Sequence, residues 1–156
     1  MSAELIEVIA KYDNICNYIH LPVQSGSTRI LKKMNRKYSA EQYLALITLI
    51  KQSIPDVALS TDVIAGYPSE TLAEHQDTLY LLREVRFANA FMFRYSPREG
   101  TKAFKDIDDV PEDEKIRRLN EIIHLQNKIS KEENQKEIGK EVEVLVEKCG
   151  KKNPNQ

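Results

Sequence analysis

Apolar positions along this chain alternate between the periods of strands and of helices. Asn17 to Val23, NYIHLPV, reads as a strand halted by QSGS. Ser27 is a good N-cap for a short helix from Thr28 to Met34 that turns Ile30, Leu31 and Met34 to one side. Ser39 caps a second helix, in which Tyr43, Leu46, Ile47 and Ile50 recur at spacings of three and four, and Pro55 ends it. Val57 to Ile64, VALSTDVI, is a β-branched run with little polar alternation, which suits a parallel strand buried on both faces. The turn AGYPSE follows. Thr71 and Glu74 then form a capping box for a helix to about Arg86, with Leu72, Leu79, Leu82 and Val85 inward. Ala88 to Tyr95, ANAFMFRY, reads as a third buried strand. After the loop SPREGTKAF, Pro111 opens a long helix whose inner face is marked by Ile116, Leu119, Ile123, Gln126 and Ile129, and which Gly139 can close. Glu141 to Glu147, EVEVLVE, alternates with period two, the signature of a half-exposed strand in an antiparallel sheet.

Consecutive strand–helix units imply an α/β fold with parallel strands and right-handed crossovers. Three such strands leave two open edges and cannot close a barrel, and the last strand has no partner in sequence. The expected organisation is therefore about half of an open α/β barrel over residues 1–138, followed by the first strand of a small β domain over 139–156.

Composition narrows the classes. The 156 residues are 41% apolar and 30% charged, an ordinary globular balance that argues against disorder. A net charge of -1 gives no global field for nucleic acid, so any RNA contact must come from local basic patches. Cys16 and Cys149 stand alone, without paired CxxC spacing, which disfavours a self-contained zinc site. The amino-terminal stretch carries acids and no long apolar core, so it reads as neither secretory signal nor membrane span. Two lone thiols then fit a reducing, cytoplasmic setting.

In parallel α/β folds, ligands sit at the C-terminal ends of the strands. Three loops leave strands there. The first carries Gln24, Ser25, Gly26 and Ser27, where Gly26 lets backbone approach a ligand and the hydroxyls and amide suit ribose or carboxylate oxygens; a capped turn is the plainer account. The second carries Asp62, Ile64, Gly66 and Glu70. Asp62 in a buried strand needs a donor, either a ligand or a neighbouring Arg or Lys, and Glu70 also suits a helix start electrostatically. The third holds Ser96, Pro97, Arg98, Gly100 and Thr101. From Asn14 to Ala40 there is no acidic residue, and Arg29, Lys32, Lys33, Arg36 and Lys37 form a basic group that could track an RNA backbone, as could Arg98 and Lys148, Lys151 and Lys152. His20 reads as a hydrogen-bonded histidine at a strand end. His75 and His124 read as surface or boundary residues.

Four stretches, HLPVQSGSTRILKKMNRKYS (20–39), STDVIAGYPSET (60–71), FMFRYSPREGTKA (91–103) and VPEDEKIRRLNEIIHLQNKIS (110–130), occur in an order and spacing that resemble the MiaB-type radical S-adenosylmethionine tRNA methylthiotransferases. Pro22, Val23, Gln24, Ser25 and Gly26 favour the branch acting on isopentenyl-adenosine over those acting on threonylcarbamoyl-adenosine or a ribosomal protein. The resemblance implies the second half of a radical S-adenosylmethionine barrel and the start of a TRAM β-barrel. It implies S-adenosylmethionine as cofactor, two 4Fe-4S clusters in the full-length protein, and the anticodon stem-loop of tRNA as partner. It places Ile64 against the cofactor's adenine and backbone near Ser96 at the adenine edge. The cluster cysteines, the N-terminal cluster domain and the first half of the barrel are not in this chain. Cys16 and Cys149 match no cluster motif, so the chain by itself is expected to be inactive. The rival readings are a non-catalytic α/β module binding RNA or a partner chain, and an unrelated barrel enzyme acting on a small anion.

Overall fold

The computed structural model describes residues 1–141. Its elements run α1 (Ala3–Lys11), β1 (Tyr18–His20), α2 (Thr28–Lys33), α3 (Ala40–Ser53), β2 (Ala58–Ala65), α4 (Leu72–Val85), β3 (Asn89–Arg94), a short 3-10 turn (Lys102–Lys105) and α5 (Glu112–Gln135). The alternating strand expected after Glu141 lies outside the described residues, as do Cys149, Lys148, Lys151 and Lys152.

The three strands form one parallel sheet in the order β1-β2-β3, as three βα units require. β2 is central, and Leu59, Val63 and Ala65 from it join Ile47, Ile50, Leu82, Val85, Phe87 and Ile122 in the main core. Local signals set the helix starts. Ser27 accepts from Ile30 N, and Ser39–Gln42 and Thr71–Glu74 each close a reciprocal capping box.

Several expectations are corrected. β1 stops at His20, short of Val23: Leu21 N still donates to Ser60 O (2.8 Å), but the Thr61 hydroxyl then takes the next places of the ladder, donating to Leu21 O (2.9 Å) and accepting from Val23 N (2.9 Å). Backbone pairing with β2 resumes beyond Val23, where Gln24 N donates to Asp62 O (2.8 Å) and Ile64 N donates to Gln24 O (2.9 Å). β3 is not buried on both faces. It is an edge strand, and Phe91 and Phe93 are 49% and 52% exposed on the face they share with Asp62 and Ile64. In α4 Leu72 faces solvent, while His75 and Thr78 point inward, so His75 is a core residue rather than a surface one. The inner face of α5 is turned from the expected line: Ile116 is exposed and Lys115 and Arg118 are buried beside Ile122, Gln126 and Ile129. Apolarity alone picked the wrong rotation there, because two inward cations have buried partners. α5 also ends at Gln135, before Gly139. The helix α1, capped by Ser2 and packed through Ile6 against α3, has no counterpart in the sequence reading; only Ile6 of its nine residues is buried.

Candidate functional site

All three distinctive loops leave the same end of the sheet, because all three strands are parallel. They meet around an open concavity of about 910 Å³. Gln24 enters it from beyond β1, Asp62 and Ile64 from β2, Tyr67 from the next turn, and Phe93, Tyr95, Ser96, Arg98 and Thr101 from β3 and its loop. Lys33, Asn35 and Arg36, at the end of α2, border the mouth.

Backbone geometry aims these groups. Gln24 sits at φ 70, in the left-handed region that a residue with a side chain rarely adopts. The two backbone bonds to Asp62 and Ile64 hold it there. Such strain is concentrated at functional sites when the surroundings over-determine it. The side chain beside Asp62 is a histidine rather than an Arg or Lys: His20 Nε2 lies 3.4 Å from its carboxylate, and His20 Nδ1 pairs with Ser60 Oγ at 2.9 Å. That ring is thus fixed from both sides. Tyr67 and Tyr95 pack edge to face with centroids 5.2 Å apart and form an apolar wall beside Ile64. Burial pushes both phenols above their ordinary range, so both stay neutral donors at physiological pH. Tyr95 Oη donates to Ala103 O at 3.1 Å.

Other sequence-identified residues have structural tasks around this pocket. Ser25 Oγ accepts from Ser27 N, and Ser27 Oγ donates to Glu74 at 2.9 Å. At Gly26 the missing side chain makes room for α4: a Cβ would lie 2.4 Å from Asp77 O. Gly66, at φ +71, donates its N–H to Glu70 Oε2 (2.9 Å) and packs under the stem of Lys115. Glu70 is buried and pairs with Arg118 at 2.9 Å; burial raises its pKa, while the Arg118 and Gly66 donors oppose the rise. Pro97 and Gly100 stand in the exposed loop after β3, and Thr101 Oγ1 bonds Arg98 O at 2.7 Å.

The basic group divides. Arg29 is held bidentately by Glu74, with contacts of 2.7 and 2.6 Å, and this guanidinium does most to bring the Glu74 carboxyl down to about 2. Lys33 donates to Ser69 Oγ at 2.7 Å. Lys32, Arg36 and Lys37 are exposed; Arg36 stands with Arg98 at the mouth. Sequence reasoning missed Tyr67, whose signal was an aromatic in a Gly-Tyr-Pro strand-end turn. It also missed Lys115 and Arg118, whose signal was a pair of cations spaced i,i+3 on a helix otherwise counted by its apolar residues.

Among the described residues no group of three or more His, Cys, Asp or Glu side chains could hold a metal ion, and Cys16 is exposed and unpaired. The donor set of the pocket suits a nucleoside: an apolar wall for a base, and an amide, a carboxylate and a hydroxyl for sugar oxygens. No helix among the described residues is long and apolar enough to cross a membrane.

Comparison with known proteins gives the chain's relatives. The radical SAM superfamily model matches residues 1–82. Over its whole length the chain is 55% identical to the tRNA-2-methylthio-N(6)-dimethylallyladenosine synthase of Phocaeicola vulgatus and 56% identical to that of Bacteroides thetaiotaomicron. The synthase of Chlorobium phaeobacteroides is 56% identical over 97% of the chain. The chain spans about a third (34%) of the length of these curated relatives. In fold it is similar to coproporphyrinogen III oxidase from Escherichia coli, described as a radical SAM enzyme, with a TM-score of 0.66 over 83% of this chain and 30% of that one, at 19% identity.

Proposed function

Because the chain belongs to the radical SAM superfamily, we propose that it forms the second half of the catalytic barrel of a methylthiotransferase that adds a 2-methylthio group to isopentenyl-adenosine beside the anticodon of tRNA. In this reading residues 1–138 complete the barrel and 139–156 begin a TRAM domain. The two 4Fe-4S clusters are carried by parts of the enzyme outside this chain, which works in the cytoplasm. The observation that carries the reading is the convergence of all three strand-end loops on one pocket whose lining chemistry matches a nucleoside.

S-adenosylmethionine, when bound, supplies the radical chemistry and the methyl group. The residues of this chain bind and orient it. Ile64 and the Tyr67–Tyr95 pair offer an apolar wall to the adenine, and Ser96 lies where backbone can meet its edge. The Asp62 carboxylate accepts from ribose hydroxyls, with His20 holding it in place, and the Gln24 amide can both donate and accept. Gly26, Ser25, Ser27, Gly66 and Glu70 shape the turns that present these groups. Lys32, Arg36, Lys37 and Arg98, exposed around or near the mouth, serve tRNA phosphates without reading sequence. Arg29 and Lys33, tied to Glu74 and Ser69, contribute less to that surface.

The test is a chimera in which this chain replaces its homologous third of the Phocaeicola vulgatus synthase. The chimera should bind S-adenosylmethionine in equilibrium dialysis and yield methylthiolated adenosine in tRNA digests read by mass spectrometry. Asp62→Ala should weaken cofactor binding by about tenfold or more, the worth of a charge-assisted hydrogen bond, with circular dichroism unchanged. A folded chimera that binds no S-adenosylmethionine, or an Asp62→Ala variant that binds like its parent, would overturn the reading.

A further inference from the structure

α5 buries two cations, Lys115 and Arg118, at 4% and 6% exposure, one turn apart and facing the strand-end loops. Removing a charge from water is costly, so each must be held by partners. Neither lines the pocket. Lys115 Nζ lies 2.6 Å from Asp108 Oδ2 and 5.6 Å from the centroid of the Tyr95 ring. Its stem crosses Gly66 so closely that a Cβ there would lie 2.4 Å from Lys115 Cγ. Tyr95 in turn fixes Tyr67 edge to face and binds Ala103 O. Three groups of the pocket wall are therefore either in contact with Lys115 or one contact further. Arg118 secures the far end of the same turn, with Nη1 at 2.8 Å from Glu70 O and 2.9 Å from Glu70 Oε2. Asp109 adds a tie between the two loops by accepting from Ser69 N at 2.6 Å.

We propose that Lys115 is a positioning residue for the nucleoside pocket. It locks the loop after β3 and the Tyr67–Tyr95 wall against the turn after β2, while Arg118 anchors that turn. The proposal rests on the nucleoside reading of the pocket given above. A lysine suits the place for two reasons. Only an unbranched stem passes over Gly66, and only a terminal cation reaches Asp108 and the face of Tyr95. A methionine would fill the stem's volume but leave the Asp108 carboxylate without its cation and the wall without its brace.

In the chimera, Lys115→Met should raise the dissociation constant for S-adenosylmethionine about tenfold while kcat at saturating cofactor stays within about twofold, since misplacement of a wall weakens binding before it touches the reacting atoms. Lys115→Arg, which keeps the charge and the unbranched stem, should restore binding to within about threefold. If Lys115→Met fails to fold, Asp108→Asn carries the test: it takes the charge from the same tie in an exposed loop and should weaken binding in the same direction with the melt intact. Unchanged cofactor binding in a folded Lys115→Met or Asp108→Asn protein, whatever its melting temperature, would overturn the proposal, as would a folded Lys115→Arg protein that binds no better than the methionine variant. An unsubstituted, folded chimera with no affinity for the cofactor would refute the pocket reading, and this inference with it.

Discussion

Arg118→Leu should destabilise the fold more than the loss of any surface charge, and the deficit should depend on pH. Arg118 donates to Glu70 O (2.8 Å), Glu70 Oε2 (2.9 Å) and Glu114 Oε1 (2.7 Å). Glu114 keeps Arg117 as a partner and is partly exposed, so its share is small. Glu70 is different: its side chain is 1% exposed, and the substitution leaves it only the Gly66 N–H. Breaking a buried pair from one side costs about 3–5 kcal/mol, a large fraction of the stability of a domain this size. Burial already raises the Glu70 pKa above its ordinary value. A folded-state pKa above the unfolded one means the folded chain binds the proton more tightly, so stability from this group is largest at low pH and falls as pH rises through the folded pKa. Loss of Arg118 moves that pKa further up. The deficit should therefore be largest near pH 8 and shrink towards pH 5, by no more than about 1.4 kcal/mol per pH unit for one proton. Urea unfolding of the chain, followed by ellipticity at both pH values, measures it. A deficit under about 1 kcal/mol, or one that is equal at the two pH values, would refute the reasoning.

Two more outcomes follow from the turns behind the pocket. Gly26→Ala drives a Cβ to 2.4 Å from Asp77 O and 2.5 Å from Thr78 Cα, backbone atoms of a helix that can yield only by moving away. It should cost about 1–3 kcal/mol by overpacking, measured as a lower denaturation midpoint. Glu74→Gln removes the charge and one of the two acceptor oxygens that Arg29, Ser27 and Thr71 share. The carboxyl titrates near 2 in the fold against an ordinary 4.5, so its stabilisation is present above 4.5 and lost as pH falls towards 2. The melting temperature of the glutamine variant should thus be lower at neutral pH and flatter across that window than the parent's.

Signals that act within a few residues were legible. The serine and threonine caps at Ser27, Ser39 and Thr71 sit where they were read, because a cap is a contact between residues two or three apart. The β-branched run of β2 and the parallel order of three βα units were equally readable, and with them the end of the sheet at which a site must lie. Ile64, Asp62, Gln24, Ser96 and Thr101 were located for that reason. Counting apolar residues failed where burial is decided by a partner. His75 is buried against Glu121, Lys115 against Asp108 and Arg118 against Glu70, each from another segment of the chain or the far side of a turn. β3 failed in the opposite sense: its apolar run looked interior, yet it closes an edge of the sheet and leaves Phe91 and Phe93 open.

The amino-acid order alone therefore determined the three strands and the helices α2 to α5, the strands' parallel arrangement and which strand ends carry the chemistry, since each depends on backbone preference and on neighbours a few positions away. Only the tertiary structure decided that His20 stands beside Asp62, that Gly26 serves α4, and that two cations brace the pocket from behind. Those choices depend on which side chains meet across tens of residues, and a charge can be kept in the interior only where such a meeting supplies its counter-charge.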